Sequence, residues 1–467
     1  ICSLREIEKL CRNDIRYMYL LDGMKTPSFA TFGNLIRNEL TDSIEQIFED
    51  INSYIFAKDH VDLQHTYIDG TKIEANANRY TWVWKKSCVK NRQKVFDKIS
   101  LLIDAMNLEV LGYLGIKFEK REAYAVDYVS ELLTMYKETT GLDETSFVSG
   151  RGHRKSIRQK QYEELHEYLE RLKSYAYHIE TCGEERNSYS KTDPNATFMR
   201  MKEDAMLNGQ LKPAYNIQHG VDSEYITWID ISSRPTDTCT LIPFLKDMES
   251  HLGFKYSEIV ADAGYESEEN YLFIEGNGQT AYIKPQNYEI SKTRKYKKDI
   301  SRRENMEYHA DRDSYICRNG RELTVTNERR SKTASGYVSV KTYYRSPDCT
   351  GCPYKTECIK GNNCKTPMEK RNKVLMVSKT MSQKRAEDLE RITSEYGTML
   401  RMNRSIQAEG SFADVKEDMN FRRYLYRGKA NALAESILLA MGRNINKLHS
   451  KIQTGRTGSH LFSLKTA

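Results

Sequence analysis

The sequence predicts an α/β protein whose sheet is interrupted by insertions. Three observations predict it. Residues 211 to 290 read strand, strand, helix, strand, helix, strand. Helical periodicity dominates both ends of the chain and residues 84 to about 185. Five of the ten cysteines crowd between Cys317 and Cys364, marking an insert with its own chemistry.

With 467 residues the chain has room for two or three domains. Aromatics at 10%, with 31 tyrosines, are too many for a disordered chain despite a mean hydropathy of -0.70. The net charge of +7 is mild, so where charge sits says more than its sum. The sequence lacks any run of about 18 apolar residues, so neither a spanning helix nor a membrane partner is expected. Scattered thiols plus one cluster suit a reducing compartment and a metal site better than a disulfide framework. The chain starts at Ile1 with neither initiator Met nor apolar leader, which reads as a fragment or trimmed reading frame.

Along the chain, residues 1–60 form a helical region: Ile7, Leu10, Ile15, Met18 and Leu21 recur at helical spacing, and a Pro-Ser start opens a second amphipathic helix carrying Arg37. Two short helices about a turn allow a DNA-binding helix-turn-helix; a plain packing module is the alternative. Residues 65 to 75 read as a strand through Thr66, Tyr67 and Ile68, broken by Gly70-Thr71. The core takes 61–80 and 205–290. Between them lies a helical insert, 81–204, with a basic run from Gly150 to Lys160 that reads as a solvated face. Residues 291–374 form a basic, irregular and Cys-rich insert. Helices return over 375–450, and 451–467 is a polar tail.

Two acids sit at strand ends. Asp69 follows Tyr67-Ile68 and precedes Gly-Thr; Asp262 follows Ile259-Val260-Ala261 and precedes Ala-Gly. Glu409 falls on a helix, with Lys416 on the same face. Two rigid Asp and one helical Glu are what two-metal phosphoryl transfer needs. Mg²⁺ prefers carboxylate oxygen, and two ions about 3.5–4 Å apart activate an attacking oxygen and stabilise a leaving one. Singly, each acid also reads as a turn or solvated residue.

The stretches YIDGTKIEANANRYTWVWKK, DPNATFMRMKEDAMLNGQLKPAYNIQ, VADAGYESEENY and NRSIQAEGSFADVKEDMNFRRYLYRGK resemble bacterial insertion-sequence transposases of the DDE type, in the branch with a Cys-rich insert before the last acid. The resemblance implies a ribonuclease-H-like mixed sheet with the triad Asp69, Asp262 and Glu409 holding two Mg²⁺ or Mn²⁺ ions. It also implies metal-assisted cleavage and joining of double-stranded DNA at terminal inverted repeats and target, by a homodimer in the bacterial cytoplasm at the nucleoid. Arg404 and Lys416 match a Tyr-Arg-Glu-Lys signature and would contact phosphate. Arg401 stands near where Tyr is expected, and the Arg-to-Glu interval is one residue longer than the common pattern. The rivals are an inactive, transposase-derived sequence-specific DNA-binding protein and a structural zinc module in protein assembly.

Cys349 and Cys352 have the C-x2-C spacing of a zinc knuckle. The preferred zinc set is Cys317, Cys349, Cys352 and Cys358, with Cys364 competing for one place; free thiols are the alternative. Lys292, Arg294, Lys295, Lys297, Lys298, Arg302 and Arg303, interleaved with Tyr288 and Tyr296, form the densest basic run. It reads as a DNA-backbone contact or a solvated loop. Trp82 and Trp84 read as buried aromatics, with stacking on a flipped base as the alternative.

Overall fold

The computed structural model describes residues 2–150, 152–201, 209–333, 335–361 and 364–463. The chain forms two compact units, one of residues 1–74 with 215–467 and one of residues 75–214.

The larger unit is built on a mixed sheet. Its strands are β1 (His65–Glu74), β2 (Leu211–Asp222), β3 (Tyr225–Ser232), β4 (Glu258–Ala261) and β5 (Thr280–Ile283). Their spatial order is 3-2-1-4-5. β2 and β3 form an antiparallel hairpin whose two turn residues, Ser223 and Glu224, take φ of 53° and 72°, as a tight two-residue hairpin requires. β4 runs parallel to β1, with Ile68 opposite Ala261, and β5 parallel to β4, with Ile283 opposite Ala261. The expected order of strands and helices over 211 to 290 is therefore what forms, with helices Leu241–Leu252 and Glu268–Gly276 between the strands.

Asp69 corrects one expectation. It lies within β1, because the strand runs through Gly70-Thr71 to Glu74. Gly70 is present for crowding, not for a turn. A Cβ there would meet Gln218 Nε2 at 2.6 Å, Tyr265 OH at 2.9 Å and Asp237 Oδ1 at 3.0 Å. Glycine in a strand marks such close approach.

Short helices precede β1. Each of the first three has a side-chain N-cap: Ser3 accepts from Glu6 N, Asp14 from Arg16 N, and Ser28 from Thr31 N. The fourth, Ile44–Asp59, packs along the last helix, Lys429–Gln453. The two are joined by Asn444 donating to Asn52 Oδ1 at 2.9 Å and by an ion pair, Lys451 to Asp59 at 2.8 Å, with both side chains fully buried. The tail is also engaged: Gly458 N donates to Asp59, and Phe462 N to Asn403 Oδ1.

Residues read as irregular between 291 and 345 contribute to a second sheet. Five antiparallel strands, Glu307–His309, Ser314–Ile316, Glu322–Lys332, Val338–Arg345 and Val374–Val377, follow one another in order. Leu323, Tyr344, Leu375 and Val377 form its small core. The sequence conceals it because Glu322–Lys332 is exposed over nearly its whole length, so apolar alternation is lost.

In the smaller unit three helices, Lys85–Glu109, Val126–Thr140 and Ile157–Cys182, close on a core including Ile99, Ile103, Met106, Val129, Tyr136 and Leu165. Trp82–Trp84 pairs with Ser188–Ser190, and Thr197–Arg200 with residues 211–214. Trp84 packs near Phe198, at 6.2 Å between ring centroids. Trp82, read as buried, is 51% exposed, because the short strand turns it outward.

Candidate active site

Parallel pairing of β1 and β4 ends with Ile68 opposite Ala261. Asp69 and Asp262 are the next residues on each strand, so the register sets them side by side at the carboxyl end of β4. Asp262 begins a tight turn, its Oδ1 accepting from Gly264 N at 2.8 Å. That bond fixes the carboxylate's direction. A crevice outside the carboxyl ends of parallel strands is where α/β sheets bind ligands.

Glu409 arrives from the late helix. Residues Glu395–Arg404 are α-helical, but Ser405–Glu409 form a π-helical turn. In a π-turn residues five apart stack, and Arg404 and Glu409 are five apart. Arg404 Nη2 pairs with Glu409 Oε1 at 2.7 Å, and its Nη1 faces Asp69 Oδ1 at 3.6 Å. Nη1 is buried and makes no hydrogen bond. One guanidinium thus joins two of the three predicted acids across more than three hundred residues of sequence. Lys416 lies buried on a second π-turn, Asp414–Asp418. Its Nζ donates to Thr71 Oγ1 at 2.7 Å, and Thr71, two residues beyond Asp69, shares the face of β1 that carries it. Arg401 points elsewhere, over the Tyr288 ring at 5.1 Å.

Sequence reasoning missed a fourth acid. Asp237, in the turn after β3, accepts from Asn216 Nδ2 at 2.7 Å. A Cβ on Gly264 would meet Asp262 Oδ1 at 3.0 Å and Asp237 Oδ2 at 3.2 Å, so Asp237 reaches the glycines beside both strand acids. The one available signal is in β2, where Asn216 and Gln218 put two amides on one face of a buried strand. Tyr265, fully buried, donates its hydroxyl to Gln218 Oε1. Burial raises its pKa well above the ordinary value, and the charges of Asp237, Asp69 and Asp262 add to that.

The basic run leaves the sheet just after β5, at the same end as Asp262. It folds as two single turns, Tyr288–Ser291 and Arg294–Lys297. Arg294, Lys295, Lys297 and Lys298 are exposed. Lys292 covers Tyr288 at 3.8 Å and Arg302 covers Tyr296 at 4.1 Å. Arg303 turns inward, donating to Ser382 Oγ at 2.7 Å.

Among the cysteines, burial pushes the Cys358 thiol up, and the nearby Cys317, Cys349 and Cys352 add to the effect. Those are the preferred four. Cys349 Sγ also accepts from Lys373 N at 3.4 Å. Cys364 is exposed and outside this group; hydrogen bonds from Thr366 lower its pKa. The thiols are less tightly gathered than a closed ligand set: among the described residues, the group whose donor atoms all lie within 4.8 Å of one another is Asp62, His65 and Asp222.

Among the described residues no helix is long and apolar enough to cross a membrane. No curated protein and no solved structure matches the chain. Residues 316–449 match a family model described as a transposase DDE domain. The matched span holds Arg404, Glu409, Lys416 and all of the cysteine cluster, and over those residues it supports the resemblance to DDE transposases read from the sequence.

Proposed function

We propose that the chain is an insertion-sequence transposase that cleaves and joins DNA at element ends. The observation that carries this reading is the bridge from Asp69 through Arg404 to Glu409, with Asp262 beside Asp69 in register. The strand order 3-2-1-4-5, with 1-4 and 4-5 parallel, supports a ribonuclease-H-like core.

Asp69, Asp262 and Glu409 offer hard carboxylate oxygens, the donors that Mg²⁺ or Mn²⁺ takes, and would hold two such ions. Bound there, the metals supply activation of the attacking oxygen and charge neutralisation at the leaving one. The chain supplies position. The strand and the Gly264 N–H hold the two Asp carboxylates rigidly, and Lys416 anchors Thr71 beside Asp69. Arg404, with Nη1 unbonded, can donate to a phosphate oxygen. Water first cleaves the strand; the freed 3′ hydroxyl then attacks target DNA. The exposed lysines and arginines after β5 would follow the DNA backbone, each neutralised phosphate adding about 0.9 to the log–log salt slope. Joining two ends calls for a homodimer, acting at the nucleoid in the bacterial cytoplasm. Cys317, Cys349, Cys352 and Cys358 would close on a structural Zn²⁺ with Zn–S distances of about 2.3 Å, stapling strand Ser314–Ile316 to the loop before Val374–Val377.

Nicking of terminal-repeat DNA in Mg²⁺ tests the reading, wild type against Asp262→Asn. Cleavage by wild type and loss in the variant is expected. Cleavage retained by Asp262→Asn removes the triad assignment, and binding without cleavage by wild type leaves an inactive DNA-binding protein.

A further inference from the structure

A second donor cluster lies at the other end of β1. The loop before β1 carries Asp62, the strand opens at His65, and β2 ends at Asp222. One donor atom from each lies within 4.8 Å of the other two. His65 is 1% exposed and Asp222 0%. Both ring nitrogens of His65 and Oδ2 of Asp222 are buried without a hydrogen-bond partner. The other Asp222 oxygen accepts from Ser223 Oγ at 2.9 Å, and Asp62 Oδ1 accepts from Gln64 N at 3.3 Å.

Natural proteins seldom leave three buried polar atoms unpaired in one place. Here one donor atom of His65, one of Asp222 and one of Asp62 lie together, within reach of a shared cation.

We propose that Asp62, His65 and Asp222 bind one divalent transition-metal ion of the zinc class, with water completing the coordination. Imidazole nitrogen with carboxylate oxygen is a donor set that Zn²⁺ accepts and Mg²⁺, which keeps to oxygen, does not. Its role is structural. His65 precedes Asp69 by four residues, roughly 13 Å along a strand, so the ion is remote from the candidate active site. It fastens the loop before β1, the start of β1 and the end of β2 to one another. The proposal does not rest on the DNA-cleavage reading.

The test is a Co²⁺ titration of the full chain, stripped of metal, reduced, and in excess Mg²⁺ to occupy all-oxygen sites. Cobalt on cysteines announces itself by thiolate charge transfer and cancels in the difference between wild type and variant. The expected difference spectrum between wild type and Asp62→Asn is a d–d band without that charge transfer, displaced by Zn²⁺. Asp62 is exposed, so this variant keeps the fold, which circular dichroism checks. Affinity for this site falls at least about 10-fold in Asp62→Asn, the scale seen when even a supporting residue is lost, and binding disappears in His65→Gln. A wild-type spectrum with thiolate-bound cobalt alone, or equal affinity in wild type and Asp62→Asn, overturns the site.

Discussion

Gly70→Ala isolates the crowding that surrounds the candidate active site. The added Cβ would meet Gln218 Nε2 at 2.6 Å and Tyr265 OH at 2.9 Å, where ordinary contact needs roughly 3.5 Å. Gln218 cannot swing away cheaply. It is fully buried, its Nε2 donates to Asn216 Oδ1 at 3.1 Å, and its Oε1 accepts from Tyr265. Relief therefore costs either a distorted strand or broken buried hydrogen bonds. Overpacking of this kind costs about 1–3 kcal/mol, and a displacement of about 1 Å at a reacting group can cost ~10²-fold in rate. Trp228, fully buried on β3, reports unfolding of this sheet alone once Trp82 and Trp84 are replaced by Phe. In that background Gly70→Ala should lower stability by about 1–3 kcal/mol and depress DNA cleavage. Gln218→Ala opens the space that the new methyl needs, so the double variant should lose less than the two single losses added, with a coupling of at least about 0.5 kcal/mol. Strict additivity would refute the claim that Gly70 is required by its neighbours.

Asp388 and Glu435 are carboxyls that burial pushes up to about 7. The folded chain keeps protons that the unfolded chain sheds near pH ~4. Their contribution is thus fully present below that pH and is lost as pH rises through about 7; denaturant midpoints at about pH 5 and 8 should fall in that order, and Asp388→Asn should flatten the dependence. Lys451→Met leaves Asp59 buried and unpaired, which should cost about 3–5 kcal/mol in chemical denaturation, with Asp59→Leu in the same chain recovering part of it. Zinc analysis of the purified protein should show a loss with Cys352→Ser and none with Cys364→Ser.

What the sequence disclosed follows from how local each cause is. β4 and its turn were readable because Ile259-Val260-Ala261-Asp262-Ala-Gly carries both the buried strand and its stop within six residues. The extent of β1 was not, since Gly70 looks like a breaker and its real reason lies in Gln218, Tyr265 and Asp237, all at least 148 positions away in sequence. Asp237 is hidden for the same cause: its partners come from β2, and only the fold brings them to it. The second sheet escaped notice because a hairpin bathed in solvent need not alternate. Glu328, Arg329, Arg330 and Lys332 look like a solvated loop and nonetheless pair in register.

The late helix shows how a departure in sequence can be absorbed by geometry. An α-helix turns about 100° per residue, so five residues leave two side chains about 140° apart, on different faces. With the Arg-to-Glu interval lengthened by one, a regular helix would turn Glu409 away from Arg404. The backbone instead widens into a π-turn over Ser405–Glu409, whose i to i+5 bonding returns Glu409 to the face of Arg404, as their 2.7 Å contact records. A second π-turn over Asp414–Asp418 carries Lys416 inward to Thr71. A π-turn is a less favoured helix form that recurs at functional sites. Here Arg404, at the entry to the first, and Lys416, on the second, each reach β1 on the face of Asp69. The extra residue is therefore accommodated within the helical segment that carries Arg404, Glu409 and Lys416, and the lengthened spacing does not part Glu409 from Arg404.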